Sequence, residues 1–116
     1  MFSISPAVSL AAAAREMQAN DVSSLMVVDE EKFVGIITER DLARAIAAGD
    51  PPELAVVADY MTDHPITVGP DMGVREAAAE MLELDVRHLP VGVAGEVVGM
   101  ISLRDLLSVV VEGQRL

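Results

Sequence analysis

Val34-Gly35-Ile36-Ile37-Thr38-Glu39-Arg40-Asp41-Leu42 returns sixty-four residues later as Val98-Gly99-Met100-Ile101-Ser102-Leu103-Arg104-Asp105-Leu106. Extended outward, the same offset aligns residues 6–46 with 70–110 without a gap, and 15 of the 41 pairs are identical. Among them are Ala13-Ala14 with Ala77-Ala78, Glu16-Met17 with Glu80-Met81, and Asp21-Val22 with Asp85-Val86. Two copies are too few for a solenoid, whose inner repeats need a neighbour on each side. The pattern therefore predicts a pseudo-twofold pair that shares one core.

The hydrophobic period reads each copy as β-α-β-β-α. An extended start at residues 2–5 or 66–68 leads into a helix with apolar residues at i, i+3, i+4 and i+7. These are Leu10, Ala13, Ala14 and Met17, and Val74, Ala77, Ala78 and Met81. Residues 25–28 and 33–38, and again 89–93 and 97–102, form hairpins around Asp29-Glu30-Glu31 and Ala94-Gly95. A last helix buries Leu42, Ala45 and Ile46 in the first copy and Leu103, Leu106, Leu107 and Val110 in the second. Gly49-Asp50-Pro51-Pro52 stops the helix before it, because proline removes a donor and clashes with the preceding turn. The organisation predicted is a first repeat at 1–48, a linker at 49–55 and a second repeat at 56–116. Residues 56–61 form a short helical lead-in to the second copy, with no counterpart ahead of Phe2. The fold class is α/β (α+β), two β-α-β-β-α repeats with small mixed sheets flanked by helices.

Composition narrows the function. The 116 residues carry 8 Lys and Arg against 19 Asp and Glu, a formal net charge of −11, with an isoelectric point near 4.3. Binding to a nucleic-acid backbone depends on clustered cations, so neither nucleic acid nor an anionic membrane is an expected partner. The absence of cysteine excludes a thiol nucleophile, a zinc ribbon and a redox motif. With 52% apolar residues and only Phe2, Phe33 and Tyr60 aromatic, the core is aliphatic. A mean hydropathy of +0.41 implies apolar surface that is covered by self-association or lines a binding site. No apolar run approaches the roughly 18 residues a membrane span needs. Residues 7–14 lack a basic flank and run into Arg15-Glu16, unlike a signal peptide, so a cytoplasmic location is expected.

Two places hold candidate chemistry. In each copy a strand ends on a hydroxyl residue followed two residues later by Arg-Asp: Thr38, Arg40 and Asp41, and Ser102, Arg104 and Asp105. Such spacing matches a capping box, which ties off helix-start N–H groups. It equally suits a phosphate at the helix start, with the Asp accepting from a ribose diol. The second place is Arg87-His88, just before a core strand and opposite Ser23-Ser24 of the first copy. In so acidic a chain, two adjacent cationic donors suit an anion, although a solvated loop edge explains them as well. Thr67 is extended and able to turn its hydroxyl to the same junction. His64, in Asp63-His64-Pro65, reads as an exposed turn. No G-x-S-x-G elbow, H-E-x-x-H, phosphate loop or EF-hand loop is present, so neither catalytic nor metal-ligating residues are assigned.

These phrases together resemble a tandem pair of cystathionine-β-synthase-type (CBS) domains. Tyr60-Met61-Thr62-Asp63-His64-Pro65-Ile66-Thr67-Val68 and Arg87-His88-Leu89-Pro90-Val91 are similar to the family pattern too. The resemblance implies a regulatory Bateman module that binds an adenosine-type ligand such as AMP, ADP, ATP or S-adenosylmethionine, and that pairs as a homodimer. It implies clefts built crosswise, one from Thr38, Arg40 and Asp41 with Thr67, Arg87 and His88. The other takes Ser3, Ile4, Ser23 and Ser24 with Ser102, Arg104 and Asp105. Val91-Gly92-Val93-Ala94 departs from the family's usual Val-Val-Asp, and the first copy lacks the family's leading segment. A ligand-sensing module is the reading carried forward, with a ligand-free structural dimerisation module as the alternative and an enzyme disfavoured for want of a nucleophile–base pair.

Overall fold

A short strand, β1 (Ser3–Ile4), opens the chain and is followed by helix α1 (Leu10–Asn20). The computed structural model describes residues 2–111, with side chains through residue 109; Met1, residues 112–116 and the expected burial of Val110 lie outside it. The first helix is capped by Ser9, whose hydroxyl accepts the Ala12 N–H at 3.1 Å. Its two remaining leading N–H groups are taken by carbonyls further along the chain, Leu10 by Ala55 at 2.9 Å and Ala11 by Pro52 at 2.8 Å. The hairpin β2 (Ser24–Asp29) and β3 (Lys32–Thr38) comes next, turning through Glu30 and Glu31, both at positive φ. Helix α2 (Glu39–Ala47), the single turn α3 (Val57–Tyr60) and strand β4 (Thr62–Asp63) complete the unit. The sheet is mixed, in order β1-β2-β3-β4, with β1 parallel to β2 and the other pairs antiparallel.

The second unit repeats the design with fewer strands. It holds α4 (Val74–Leu84), β5 (His88–Val93), β6 (Glu96–Ser102) and α5 (Leu103–Val111). The extended start expected at 66–68 is here a single parallel bridge, Val68 to Val91. Its register equals that of Ile4 with Val27 in the first unit, one offset of 64 earlier. The repeat extends to irregularities: the hairpins shift register between Val27 and Val28, and between Val91 and Gly92. The identical Asp21-Val22 and Asp85-Val86 pairs have a backbone cause. Each Asp is left-handed, at φ 51° and 54°, and ends its helix, while the following Val returns its N–H to Met17 at 3.0 Å or Met81 at 2.9 Å.

Burial corrects several expectations. Within each unit buried apolar residues cluster: Leu10, Ala13, Met17, Leu25, Val27, Ile37, Ala45 and Val57 in the first, and Val68, Ala77, Met81, Leu89 and Leu106 in the second. Ala14, Ile46 and Leu107, expected in the buried stripes, are exposed. Each sits one position beyond a buried residue, and a step of about 100° round the helix turns it off the narrow line that these short sheets can cover.

The chain divides into two compact units between Pro65 and Ile66. Residues 49–61, spanning the linker and the lead-in to the second repeat, pack against the first unit. The cause is hydrogen bonding and burial: the segment caps α1, Val57 donates to the Val8 carbonyl at 2.9 Å, and its side chain is fully buried. The Tyr60 phenol donates to the Asp50 carboxylate, which raises its pKa above the ordinary phenol value. Further on, β4 covers the outer edge of β3, where Ile36 faces Thr62 and Gly35 faces Asp63.

Gly35 makes that cover possible. A Cβ there would lie 2.4 Å from the Thr62 carbonyl oxygen, whereas one on Gly99 would meet no described atom within 4 Å. Gly35→Ala is expected to destabilise the protein by about 1–3 kcal/mol through overpacking. Gly99→Ala stays within about 0.5 kcal/mol of the parent. Urea unfolding followed by circular dichroism measures both, and equal losses would contradict this account of Gly35.

Candidate functional site

Any α-helix that starts at the end of a strand leaves its first N–H groups without intrahelical acceptors. At α2 the chain meets that demand reciprocally. The Thr38 hydroxyl oxygen accepts the Asp41 N–H at 3.3 Å, and Asp41 Oδ2 accepts the Thr38 N–H at 2.9 Å and lies 3.1 Å from the Thr38 hydroxyl. The capping-box reading is therefore correct for this junction. Asp41 is only 4% exposed, and its other oxygen, Oδ1, accepts from Arg44 Nη1 at 2.9 Å. Both carboxylate oxygens are thus engaged within the first unit.

The second junction has the same frame with different chemistry around it. Asp105 Oδ2 accepts the Ser102 N–H at 2.9 Å, and Ser102 Oγ accepts the Asp105 N–H at 3.0 Å. Here, however, Asp105 is exposed, and Ser108 stands where the first copy has Arg44. Asp105 therefore presents a carboxylate to solvent where Asp41 is enclosed.

Each junction lies beside the start of the preceding strand. Ser24 pairs with Thr38, and the Ser23 carbonyl accepts the Glu39 N–H at 3.1 Å. In the second unit His88 pairs with Ser102, and the Arg87 carbonyl accepts the Leu103 N–H at 2.8 Å. Ser3 and Ile4 stand one strand further over, opposite Met26 and Val27. Thr67 precedes the Val68 bridge, its hydroxyl 3.5 Å from the place of a Cβ on Gly92. The structure thus gathers Ser3, Ile4, Ser23, Ser24, Thr38, Arg40 and Asp41 at one sheet end, and Thr67, Arg87, His88, Ser102, Arg104 and Asp105 at the equivalent end of the other unit. Arg40, Arg87, Arg104 and Thr67 are exposed; Ser23, Ser24, His88, Thr38 and Ser102 are half-buried. His64 is exposed, with positive φ, as its turn suggested.

Sequence reasoning passed over Arg44. The i, i+3 spacing from Asp41 was the signal available, since residues three apart share a helix face. Among the described residues no group of three or more His, Cys, Asp or Glu is placed to hold a metal ion, and no helix is long and apolar enough to cross a membrane.

The family model described as CBS domain matches residues 1–48 and 57–112. A 17.7 kDa protein of Acidianus ambivalens is 38% identical over 108 residues, 91% of this chain and 65% of that protein. The chain spans half the length of a second curated relative, from Methanopyrus kandleri, at 35% identity. Among solved structures, a CBS domain pair in complex with 5′-methylthioadenosine and S-adenosyl-L-methionine superposes with a TM-score of 0.84 at 27% identity, covering 97% of this chain and 90% of that one. A CBS domain protein of Pyrobaculum aerophilum complexed with AMP gives 0.81 at 27% identity, covering 96% and 88%.

The unequal surroundings of the two aspartates make a prediction about stability. Asp41→Asn removes a buried charged acceptor and is expected to cost about 1–2 kcal/mol, while Asp105→Asn costs at most about 0.5 kcal/mol. Thermal unfolding of the two variants without ligand checks it, and the reverse order would contradict the geometry.

Proposed function

This chain belongs to the CBS-domain family, and on that premise we propose that it is a regulatory sensor module, not an enzyme, that binds an adenosine-type nucleotide: AMP, ADP, ATP or S-adenosylmethionine. One observation carries the reading: two reciprocally capped strand-to-helix junctions, each offering a hydroxyl and a carboxylate beside a strand start. The complexes of relatives with AMP and with S-adenosyl-L-methionine support it. The principal site takes Thr67, Arg87 and His88 with Thr38, Arg40 and Asp41. Arg87 is an exposed guanidinium suited to phosphate, and the threonine hydroxyls suit phosphate or ribose. Asp41 accepts from the ribose diol and shares Oδ1 with Arg44, since a carboxylate oxygen has two lone pairs. A weaker second site uses Ser3, Ile4, Ser23 and Ser24 with Ser102, Arg104 and Asp105.

A second reading has its own observation. Asp41 is already satisfied within its unit, and Ile46 on α2 and Leu107 on α5 are 65% and 56% exposed. A ligand-free dimerisation module would use those helix faces and need nothing from Asp41. Both readings place a homodimer in the cytoplasm, so sedimentation at micromolar concentration is expected to give twice 12.3 kDa; the monomer mass would remove the dimer from either.

Calorimetric titration separates them. AMP or ATP is expected to bind the parent, to lose at least about tenfold in affinity on Asp41→Asn, and to be nearly unaffected by Asp105→Asn. Arg87→Ala weakens ATP more than adenosine, and added salt weakens ATP binding, because an anion approaching a chain of net charge −11 depends on a few local cations. Retained binding in Asp41→Asn with loss in Asp105→Asn reverses the two sites. No binding of any adenosine ligand leaves the dimerisation module.

A further inference from the structure

Asp41 is the only buried charged side chain among the described residues, and most of its accepting capacity is used within its own unit. A carboxylate offers roughly four lone-pair sites on its two oxygens. Oδ2 accepts the Thr38 N–H at 2.9 Å and stands 3.1 Å from the Thr38 hydroxyl, in the geometry of the capping box. Oδ1 accepts Arg44 Nη1 at 2.9 Å. What is left on Oδ1 suits a single hydroxyl, whereas a ribose diol donates two hydrogen bonds. The second hydroxyl finds an acceptor only if a donor already present leaves.

Of those donors, Arg44 is the one able to leave. The Thr38 N–H belongs to the main chain, and its bond to Oδ2 lasts as long as the helix start is capped. The Arg44 side chain is 58% exposed, against 5% for Asp41. A guanidinium so exposed returns to water at little cost, as exposed ion-pair partners generally do. A second acceptor also lies near it. The chain turns back after α2, with the Asp50 N–H on the Ala45 carbonyl at 3.1 Å, which brings Asp50 alongside the turn that carries Arg44. The charge of Arg44 already acts there, lowering the Tyr60 pKa that the hydrogen bond to Asp50 raises. In the second unit Ser108 takes the place of Arg44, and Asp105 is exposed.

We infer that Arg44 determines ribose specificity at the first junction: it is a removable plug that competes with the ligand for Asp41 Oδ1 and gives way only to a ribose bearing both hydroxyls. The inference rests on the nucleotide reading and assigns a role to a residue outside the set that reading names as the site. With Arg44 in place, Asp41 shares Oδ1 and takes one hydroxyl; with Arg44 turned away, it takes both. A 2′-deoxyribose uses the remaining site and leaves the ion pair intact. A full ribose must break that pair, so removing the guanidinium strengthens the ribose ligand selectively. An anchoring role, in which Arg44 merely orients Asp41, has the opposite sign.

Calorimetric titration of AMP and ATP, each beside its 2′-deoxy counterpart, into the parent, Arg44→Met and Arg44→Lys tests it. Arg44→Met keeps the apolar stem without a donor; it is expected to bind AMP at least about fivefold more tightly and 2′-deoxy-AMP within about twofold of the parent. Arg44→Lys keeps a cation and stays near the parent ratio. Side-chain N–H resonances of Arg44 in the isotope-labelled parent supply a readout that needs no variant: they shift on saturation with AMP and stay in place with 2′-deoxy-AMP. Equal changes for the two nucleotides in Arg44→Met, weaker AMP binding there, or Arg44 resonances unmoved by bound AMP would overturn the inference while the nucleotide reading stands. Absence of AMP and ATP binding in both parent and variant also overturns it; the nucleotide reading falls only if ADP and S-adenosylmethionine fail as well.

Discussion

A strand that runs straight into a helix must find acceptors for the helix's leading N–H groups, and this chain meets that demand twice with the same two residue types. Thr38 with Asp41, and Ser102 with Asp105, close the junction reciprocally. The closure also determines what stands at each sheet end. It holds the hydroxyl and the carboxylate in place, and it ties the helix start to the neighbouring strand through the carbonyls of Ser23 and Arg87. The residue pair that closes the fold is also the pair proposed to meet an adenosine-type ligand. Capping and binding are compatible where the carboxylate keeps a lone pair to offer.

The same frame with different neighbours produces different sites. An exposed Arg44 pairs with the buried Asp41, while Ser108 stands at that position beside the exposed Asp105. The segment around Thr62 covers β3, while among the described residues β6 pairs only with β5. These differences follow from residues outside the most similar phrases, which is why the copies diverge in behaviour while agreeing in backbone. The conserved backbone reaches to the left-handed Asp21 and Asp85 and to the matching shifts in both hairpins.

Much of the fold was legible because the offset of 64 and the hydrophobic period depend only on local sequence. The hairpins, the long helices and the cap at Thr38 follow from residues within a few positions of one another. What the sequence did not reveal depends on contacts between distant segments. Residues 49–61 cap and cover the first unit because the Pro52 and Ala55 carbonyls meet α1, and no local pattern announces that. Ile46 and Leu107 fit a helical stripe by spacing, yet small sheets leave them exposed. At the candidate site the hydroxyl, Arg and Asp positions were readable from the repeat. The enclosure of Asp41 was not, since it required recognising Arg44 as its partner.

The central claim is that residues of both repeats act on one adenosine-type ligand. Amide and side-chain shift mapping of the isotope-labelled protein during an AMP titration tests it most directly. The account predicts that Thr38 and Asp41 move together with Thr67, Arg87 and His88, along one saturation curve. Shifts confined to a single repeat, or separate curves for the two groups, would contradict it.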